Sequence, residues 1–258
     1  MRDVREINRV GWNARVAGGD QWSVPVSHNA VVRARQGDWS VVLTPATAVP
    51  RDWFGDLAGK DVLGLASGGG QQCPIFAAAG ARVTCFDASD AQLARDEEVA
   101  RREGLLIRTV QGYMDDLSVF ADQSFDLIFH PVSNCYAPDV LPVWRECFRV
   151  LRPGGALLSG FANPVIYIFE SERQDSGELI VKHALPYADA DLPEAEIESL
   201  IARDHTLEYS HTLDSLIGGQ VAAGLHITGF YEDRDQTPAR ASDFYFPPFL
   251  ATRAIRPL

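Results

Sequence analysis

The chain has 258 residues, 46% of them apolar, and a formal net charge of −12. That is enough to bury one sizeable core with an insertion or small cap, and too little for two independent domains. No window approaches eighteen uninterrupted apolar residues, and the opening MRDVREINRV is charged where a signal peptide needs an apolar centre, so we read a cytoplasmic protein that spans no membrane. The acidic balance, with no concentrated basic face, argues against a nucleic-acid partner and leaves a small molecule as the substrate class.

In chain order, Val4, Ile7, Val10 and Val16 recur at roughly helical spacing up to Gly18-Gly19, and a second short helix follows Ser27. Trp12, Trp22, Trp39 and Trp53 all precede the first core strand. Packing of this arm onto the main body accounts for them most simply, with Trp12 or Trp22 covering a ligand as the alternative. Asp61 to Leu65 is that strand; it stops at Ala66-Ser67-Gly68-Gly69-Gly70, and Gln72 to Ala79 continues as a helix. Three glycines let backbone pass close to a ligand, while the free N–H groups of the first helical turn face whatever lies above the strand end.

Ala81 to Asp87 is the second strand, ending on an acid, and Ser89 caps a charged helix from Asp90 to Glu103 that ends at Gly104. Leu106 to Gln111 and Phe125 to His130 are the third and fourth strands. Val140 to Val150 is a helix, stopped by Leu151-Arg-Pro-Gly-Gly155, and Ala156 to Phe161 is the fifth strand. After Asn163-Pro164 the rhythm breaks: Glu170 to Gly177 is polar, Glu178 to Ala184 reads as a strand, and Asp189 to Glu198 is acidic with a helix start. Thr206 to Ser210 is extended and Leu213 to Ala223 helical. Leu225 to Tyr231 and Phe249 to Ile255 are two further strands, with a polar loop, Glu232 to Ser242, between them.

This alternation predicts an α/β, doubly wound, mostly parallel seven-stranded sheet with an antiparallel edge strand and an inserted cap. The expected division is an arm or lid at 1–58, a ligand-binding core at 59–163, the cap at 164–210 and completion of the sheet at 211–258. Cys73, Cys85, Cys135 and Cys147 lack C-x-x-C spacing, which predicts buried thiols, no disulfide framework and no metal site.

A dinucleotide fingerprint needs a third small residue, and from Gly68 and Gly70 that position falls on Cys73. An NAD(P)-dependent oxidoreductase is therefore disfavoured, although Asp87 suits ribose hydroxyls in several nucleoside cofactors. Taken in order, Val62-Leu-Gly-Leu-Ala-Ser-Gly-Gly-Gly70, Phe86-Asp-Ala-Ser89, Gly112-Tyr-Met-Asp-Asp116, Phe125-Asp-Leu-Ile-Phe129 and Arg149-Val-Leu-Arg-Pro-Gly-Gly155 resemble the class I S-adenosylmethionine-dependent methyltransferases of the small-molecule kind. The resemblance implies that Ala66, Ser67, Gly68 and Gly70 wrap the methionine end of S-adenosylmethionine, with Gln71 and Gln72 adding contacts. It further implies that Asp87 takes the ribose hydroxyls, that Ala88, Met114 and Asp115 meet the adenine, and that His130 lies beside the methionine portion, facing the substrate.

The chain departs from the family pattern at Gly64, where an acid is usual, at Ala66, where glycine is usual, and at Tyr113, where aspartate is usual. Ala66 fits if its φ is negative. Loss of the acid leaves a non-catalytic S-adenosylmethionine-binding protein as an alternative. Methyl transfer is an in-line displacement that needs alignment and exclusion of water, with a general base for a hydroxyl or protonated amine. His130 is the expected base or orienting group, with Asn134, Tyr136 and His183 as acceptor contacts; His211 is equally an N-cap or lid contact. The expected partner is a small-molecule substrate, with a homodimer allowed.

Overall fold

The computed structural model describes residues 2–171, 173, 176–234 and 240–258. The arm forms α1 (Val4–Ala17), capped by the Asp3 carboxylate on the Glu6 N–H, and α2 (His28–Arg35), capped by Ser27 on the Ala30 N–H. The core then alternates β1 (Asp61–Leu65), α3 (Gln72–Ala78), β2 (Arg82–Asp87), α4 (Asp90–Glu103), β3 (Ile107–Gln111), β4 (Phe125–His130), α5 (Leu141–Val150) and β5 (Leu151–Ala162). Helix α6 (Glu194–Ala202) lies in the segment read as a cap. A π-helical turn at Asp214–Gly218 runs into α7 (Gly219–Ala222), and β6 (His226–Asp233) and β7 (Phe249–Ile255) complete the sheet.

The seven strands lie in the order β3-β2-β1-β4-β5-β7-β6. Neighbours from β3 to β5 are parallel, and β7 runs antiparallel to both β5 and β6. The winding direction reverses between β1 and β4, so a crevice opens at their carboxyl ends. Each face of the sheet carries its own apolar layer. On one side Leu43, Phe54, Phe76, Leu93 and Phe129 pack together. On the other are Leu63, Phe86, Phe125, Trp144, Leu157 and Phe161. At the end remote from the crevice, Arg152 bridges Asp61 on β1 at 2.9 Å and Asp126 on β4 at 2.8 Å, which gives the arginine of the Arg-Pro-Gly-Gly turn a structural job.

Three expectations need correction. Glu178 to Ala184 is not a strand: a single bridge joins Phe169 to Val181, and the exposed Ile180 and Val181 side chains have no apolar layer to cover. The fifth strand begins at Leu151 rather than Ala156, running through the Arg-Pro-Gly-Gly segment with a register irregularity opposite Phe125 and Leu127. The helix over Leu213 to Ala223 starts as a π turn, where Gly219 packs so closely on α5 that a Cβ there would fall 2.7 Å from Leu141 and 2.8 Å from Trp144. Part of each expected polar stretch, residues 172, 174, 175 and 235–239, lies outside the described residues. Among the described residues no helix is long and apolar enough to cross a membrane.

Candidate functional site

A cavity of about 390 Å³ occupies the crevice, within the size range of small-molecule sites. One half is lined by the glycine turn and the carboxyl ends of β2 and β3; the other by the loop after β4, Ile166 and Tyr167, Glu208 and Phe249. Trp12 and Trp22 of the arm close it from above, whereas Trp39 packs on Phe54 and Phe76, and Trp53 on Tyr231. The four tryptophans thus divide between covering the cavity and packing.

Of the residues expected to hold the cofactor, Ala66, Ser67, Gly68, Gln71, Gln72, Asp87, Ala88, Met114 and Asp115 all line this one cavity. Asp87 is the pivot of that half. Its Oδ2 accepts the Gly68 N–H and its Oδ1 the Ser89 N–H, both at 2.9 Å, which leaves each oxygen a further acceptor site. Burial raises its carboxyl above the ordinary range, against these backbone bonds, so a hydroxyl donor arriving from the cavity would find a poorly solvated acceptor. Tyr113 stands on the same rim, with the Arg5 guanidinium 5.1 Å from its ring centre and paired to Asp115 at 2.6 Å. Asp115 therefore already has a partner on the arm.

The turn itself differs from expectation. Ala66 has φ +47°, in the left-handed region that a family glycine would enter without strain. Gly70 does not line the cavity. Its N–H and that of Gly69 both donate at 3.0 Å to Asp96 Oδ2, a fully buried carboxylate on α4 that sequence reading overlooked. Burial pushes the Asp96 carboxyl up to about 7. Cys73, Cys85 and Asp96 bring their polar atoms within 4.8 Å of one another, although the cysteine spacing gave no sign of it. All four cysteines are free and buried.

The missing acid at Gly64 has a steric counterpart. A Cβ on Gly64 would lie 2.3 Å from Cys73 Sγ and 2.5 Å from Ser67 Oγ, so these side chains fill the space an acid would need. The arm also seats on the turn: Val26 N–H donates to the Gly70 carbonyl at 2.9 Å, and Gln71 Nε2 donates to the carbonyls of Gln21 and Val24. Gln71 is consequently committed to holding the arm as well as lining the cavity.

Three residues expected near the reaction do not line the cavity. His130 is fully buried, with Nδ1 donating to the Leu65 carbonyl at 3.0 Å and its ring edge-on to Trp144 at 6.0 Å. Desolvation pushes it down to about 4, so the ring is neutral at ordinary pH. It ties the end of β4 to the end of β1 from within the sheet, and its ring does not line the cavity. Asn134 is buried too, its Nδ2 reaching the Gly160 carbonyl at 3.3 Å while its own carbonyl accepts from His211 Nε2 at 3.0 Å. Its side chain is spent tying the loop after β4 to the main chain of β5. His183 leans on Tyr187, 4.7 Å between ring centres, beside the cavity wall.

Tyr136 does line the cavity, edge-on to Trp12 at 5.4 Å. With it stand residues that sequence reading missed: Arg15, Tyr167, Glu208 and Arg240. Tyr167 was hidden inside the apolar run Val165 to Phe169, and Glu208 inside an extended segment whose only signal is one acid after a buried leucine.

Comparison with known proteins bears on the family and the fold. Residues 63–159 match the methyltransferase domain model. An uncharacterized methyltransferase of Bacillus subtilis (strain 168), YbaJ, is 47% identical over 250 residues, 96% of this chain and 97% of that protein. A ubiquinone biosynthesis O-methyltransferase of Pseudomonas syringae pv. tomato is 32% identical over 116 residues, 44% of this chain and half of that protein's length. Among solved structures, an S-adenosylmethionine-dependent methyltransferase from Mesorhizobium loti superposes with a TM-score of 0.63 at 21% identity, over 80% of this chain and 95% of that one, a likeness of fold. Matched along nearly its whole length by a methyltransferase, and carrying that domain over residues 63–159, the chain belongs to the methyltransferase family.

Proposed function

We propose that the chain transfers the methyl group of S-adenosylmethionine to a small molecule, with cofactor and acceptor meeting inside the crevice cavity. The observation that carries this reading is the division of that cavity into a polar half around Asp87 and the glycine turn, and an aromatic half around Tyr136 and Tyr167. A roofed space of this size suits a small acceptor better than a polymer segment. The name of the Pseudomonas relative, an O-methyltransferase of ubiquinone biosynthesis, supports a small acceptor as well.

S-adenosylmethionine supplies a methyl group made electrophilic by the attached sulfonium. The chain's part is to bind, orient and dehydrate. In this reading Asp87 takes the ribose hydroxyls, Met114 and Ala88 flank the adenine, and Ala66, Ser67, Gly68, Gln71 and Gln72 enclose the methionine end. Gly70 acts indirectly, through its bond to Asp96. Residues 1–58 serve as the lid and 164–210 as the segment that selects the acceptor, joined by residues from the returning strand.

Calorimetry with S-adenosylhomocysteine and with NAD(H) tests the reading. Binding of S-adenosylhomocysteine alone, weakened at least tenfold by Asp87→Ala, is the expected result. Binding of the nicotinamide cofactor alone would overturn it.

A further inference from the structure

Three carboxylates line the cavity, and two have evident employment: Asp87 holds the Gly68 and Ser89 amides, and Asp115 pairs with Arg5. The third, Glu208, stands in the aromatic half. Tyr167 donates its hydroxyl to Glu208 Oε2 at 2.8 Å, and among the described residues no protein donor is assigned to Oε1. The main chain of Glu208 and the ring that holds its carboxylate are both fixed from behind. Its own N–H donates to Asp189 Oδ2 at 2.7 Å, the Asp189 N–H returns to the Glu208 carbonyl at 3.0 Å, and Tyr167 stacks on Tyr187 with ring centres 5.7 Å apart. A rigidly placed carboxylate with one oxygen left over, facing a cavity, is an arrangement that folding alone does not call for.

We propose that Glu208 accepts the proton released when the hydroxyl of a flat, uncharged phenolic acceptor is methylated at the Tyr136 and Tyr167 end of the cavity. This rests on the small-molecule methyltransferase reading and names its acceptor class and base. In the step, the phenol oxygen forms a bond to the methyl carbon as the bond from that carbon to sulfur breaks. The sulfur keeps the electron pair and becomes a neutral thioether, and the O–H proton passes to the Glu208 carboxylate.

Two features select a phenol over an ammonium compound. The surrounding rings of Trp12, Tyr136 and Tyr167 suit an aromatic face. The guanidinium groups of Arg15 and Arg240 already act on the Glu208 charge, and a bound sulfonium adds a further positive charge nearby. A cationic acceptor would enter a region that is electrostatically satisfied; a neutral O–H would not. Burial raises the Glu208 carboxyl, opposed by the Tyr167 bond and the two arginines, while Asp189 pushes in the same direction as burial. Cys135, Tyr136 and Tyr187, whose own protons are held more tightly in its field, stand around it as well. A carboxylate lifted toward neutrality is better matched to removing a phenolic proton than a solvated one.

The test uses the full chain saturated with S-adenosylhomocysteine at about pH 6, where the probe 4-nitrophenol keeps its proton, with 4-nitrobenzylamine as its cationic counterpart. The expected result is saturable binding of 4-nitrophenol that Glu208→Gln weakens at least tenfold, little or no binding of the amine, and S-adenosylhomocysteine affinity within threefold of wild type. With S-adenosylmethionine, methylation of 4-nitrophenol should fall at least a hundredfold in kcat in Glu208→Gln. Tyr167→Phe, which removes the donor that lowers the Glu208 carboxyl, should move the acid limb of the kcat profile to higher pH. Failure to bind 4-nitrophenol, preference for the amine, or binding and turnover indifferent to Glu208→Gln overturns the proposal. If S-adenosylhomocysteine itself does not bind, the methyltransferase reading fails first.

Discussion

Asn8 on α1 treats Leu207 as a neighbouring strand would. Its Oδ1 accepts the Leu207 N–H at 2.7 Å and its Nδ2 donates to the Leu207 carbonyl at 3.0 Å, with a second bond to the Tyr136 carbonyl at 3.1 Å. One buried side chain thereby fastens the arm to the segment that carries Glu208 and to the loop that carries Tyr136. Asn8→Ala strands two backbone groups of Leu207 in a buried place, a loss of about 2 kcal/mol or more. The expected outcome is a lower melting temperature and faster amide exchange at Leu207, with exchange in β1 and β4 little changed. Unaltered protection of Leu207 would show that the arm is held elsewhere.

The sheet and the half of the cavity around Asp87 were legible because they rest on local chemistry. Alternating apolar segments, a glycine turn after Leu65 and an acid ending β2 each report a nearby event. The half around Tyr136 and Tyr167 was not, because its members meet only through the fold. Glu208 and Tyr167 are 41 residues apart, and Arg15 enters from the far end of the chain. That His130 does not line the cavity was hidden for a related reason: position after a parallel strand predicts the crevice end, but not whether the side chain turns up into the crevice or sideways into the core beside Trp144. Asp96 was equally silent, since a charged residue in a charged helix ordinarily faces water.

Gly64 is a packing requirement in this chain. Gly64→Ala places a methyl group 2.3 Å from Cys73 Sγ and 2.5 Å from Ser67 Oγ, and we expect a stability loss on the order of 3 kcal/mol from overpacking. Gly64→Asp should be worse, yielding little folded protein. Combining Gly64→Ala with Cys73→Ala should recover part of the loss, since it removes the nearer obstacle. Urea titrations of the two single variants and the double variant check this, and strictly additive losses would argue against the contact.

Asp96 should leave a signature in the pH dependence of stability. Its carboxyl stands at about 7 in the folded chain against an ordinary 3.8, so the folded state holds the proton more tightly than the unfolded one. The associated stability is complete below pH 4 and is lost as pH rises toward 7, by up to about 4 kcal/mol. Asp96→Asn can still accept from Gly69 and Gly70 but cannot ionise. Between pH 4 and 7 the difference in stability between variant and wild type should therefore grow in the variant's favour. A difference that stays constant over this window would mean that Asp96 is charged throughout.

His130 acts in the opposite direction over nearly the same window. Its ring is held at about 4 against an ordinary 6.5 by desolvation, partly offset by the bond to the Leu65 carbonyl, so the folded state binds its proton less readily than the unfolded chain. The stability it contributes is complete above pH 6.5 and is lost as pH falls toward 4, by up to about 3 kcal/mol. In the wild-type chain this slope and that of Asp96 largely cancel, which gives a flat profile that conceals both. His130→Asn keeps a donor for the Leu65 carbonyl and removes the titration, so it should expose the Asp96 slope, with stability falling from pH 4 to 7. Because the ring does not line the cavity, the same variant should retain S-adenosylhomocysteine binding within a few fold and leave the acid limb of any activity profile in place. Loss of turnover with binding and stability intact would instead return His130 to the chemistry, and carbon-detected titration of its ring between pH 4 and 8 would then have to show a proton moving in that range.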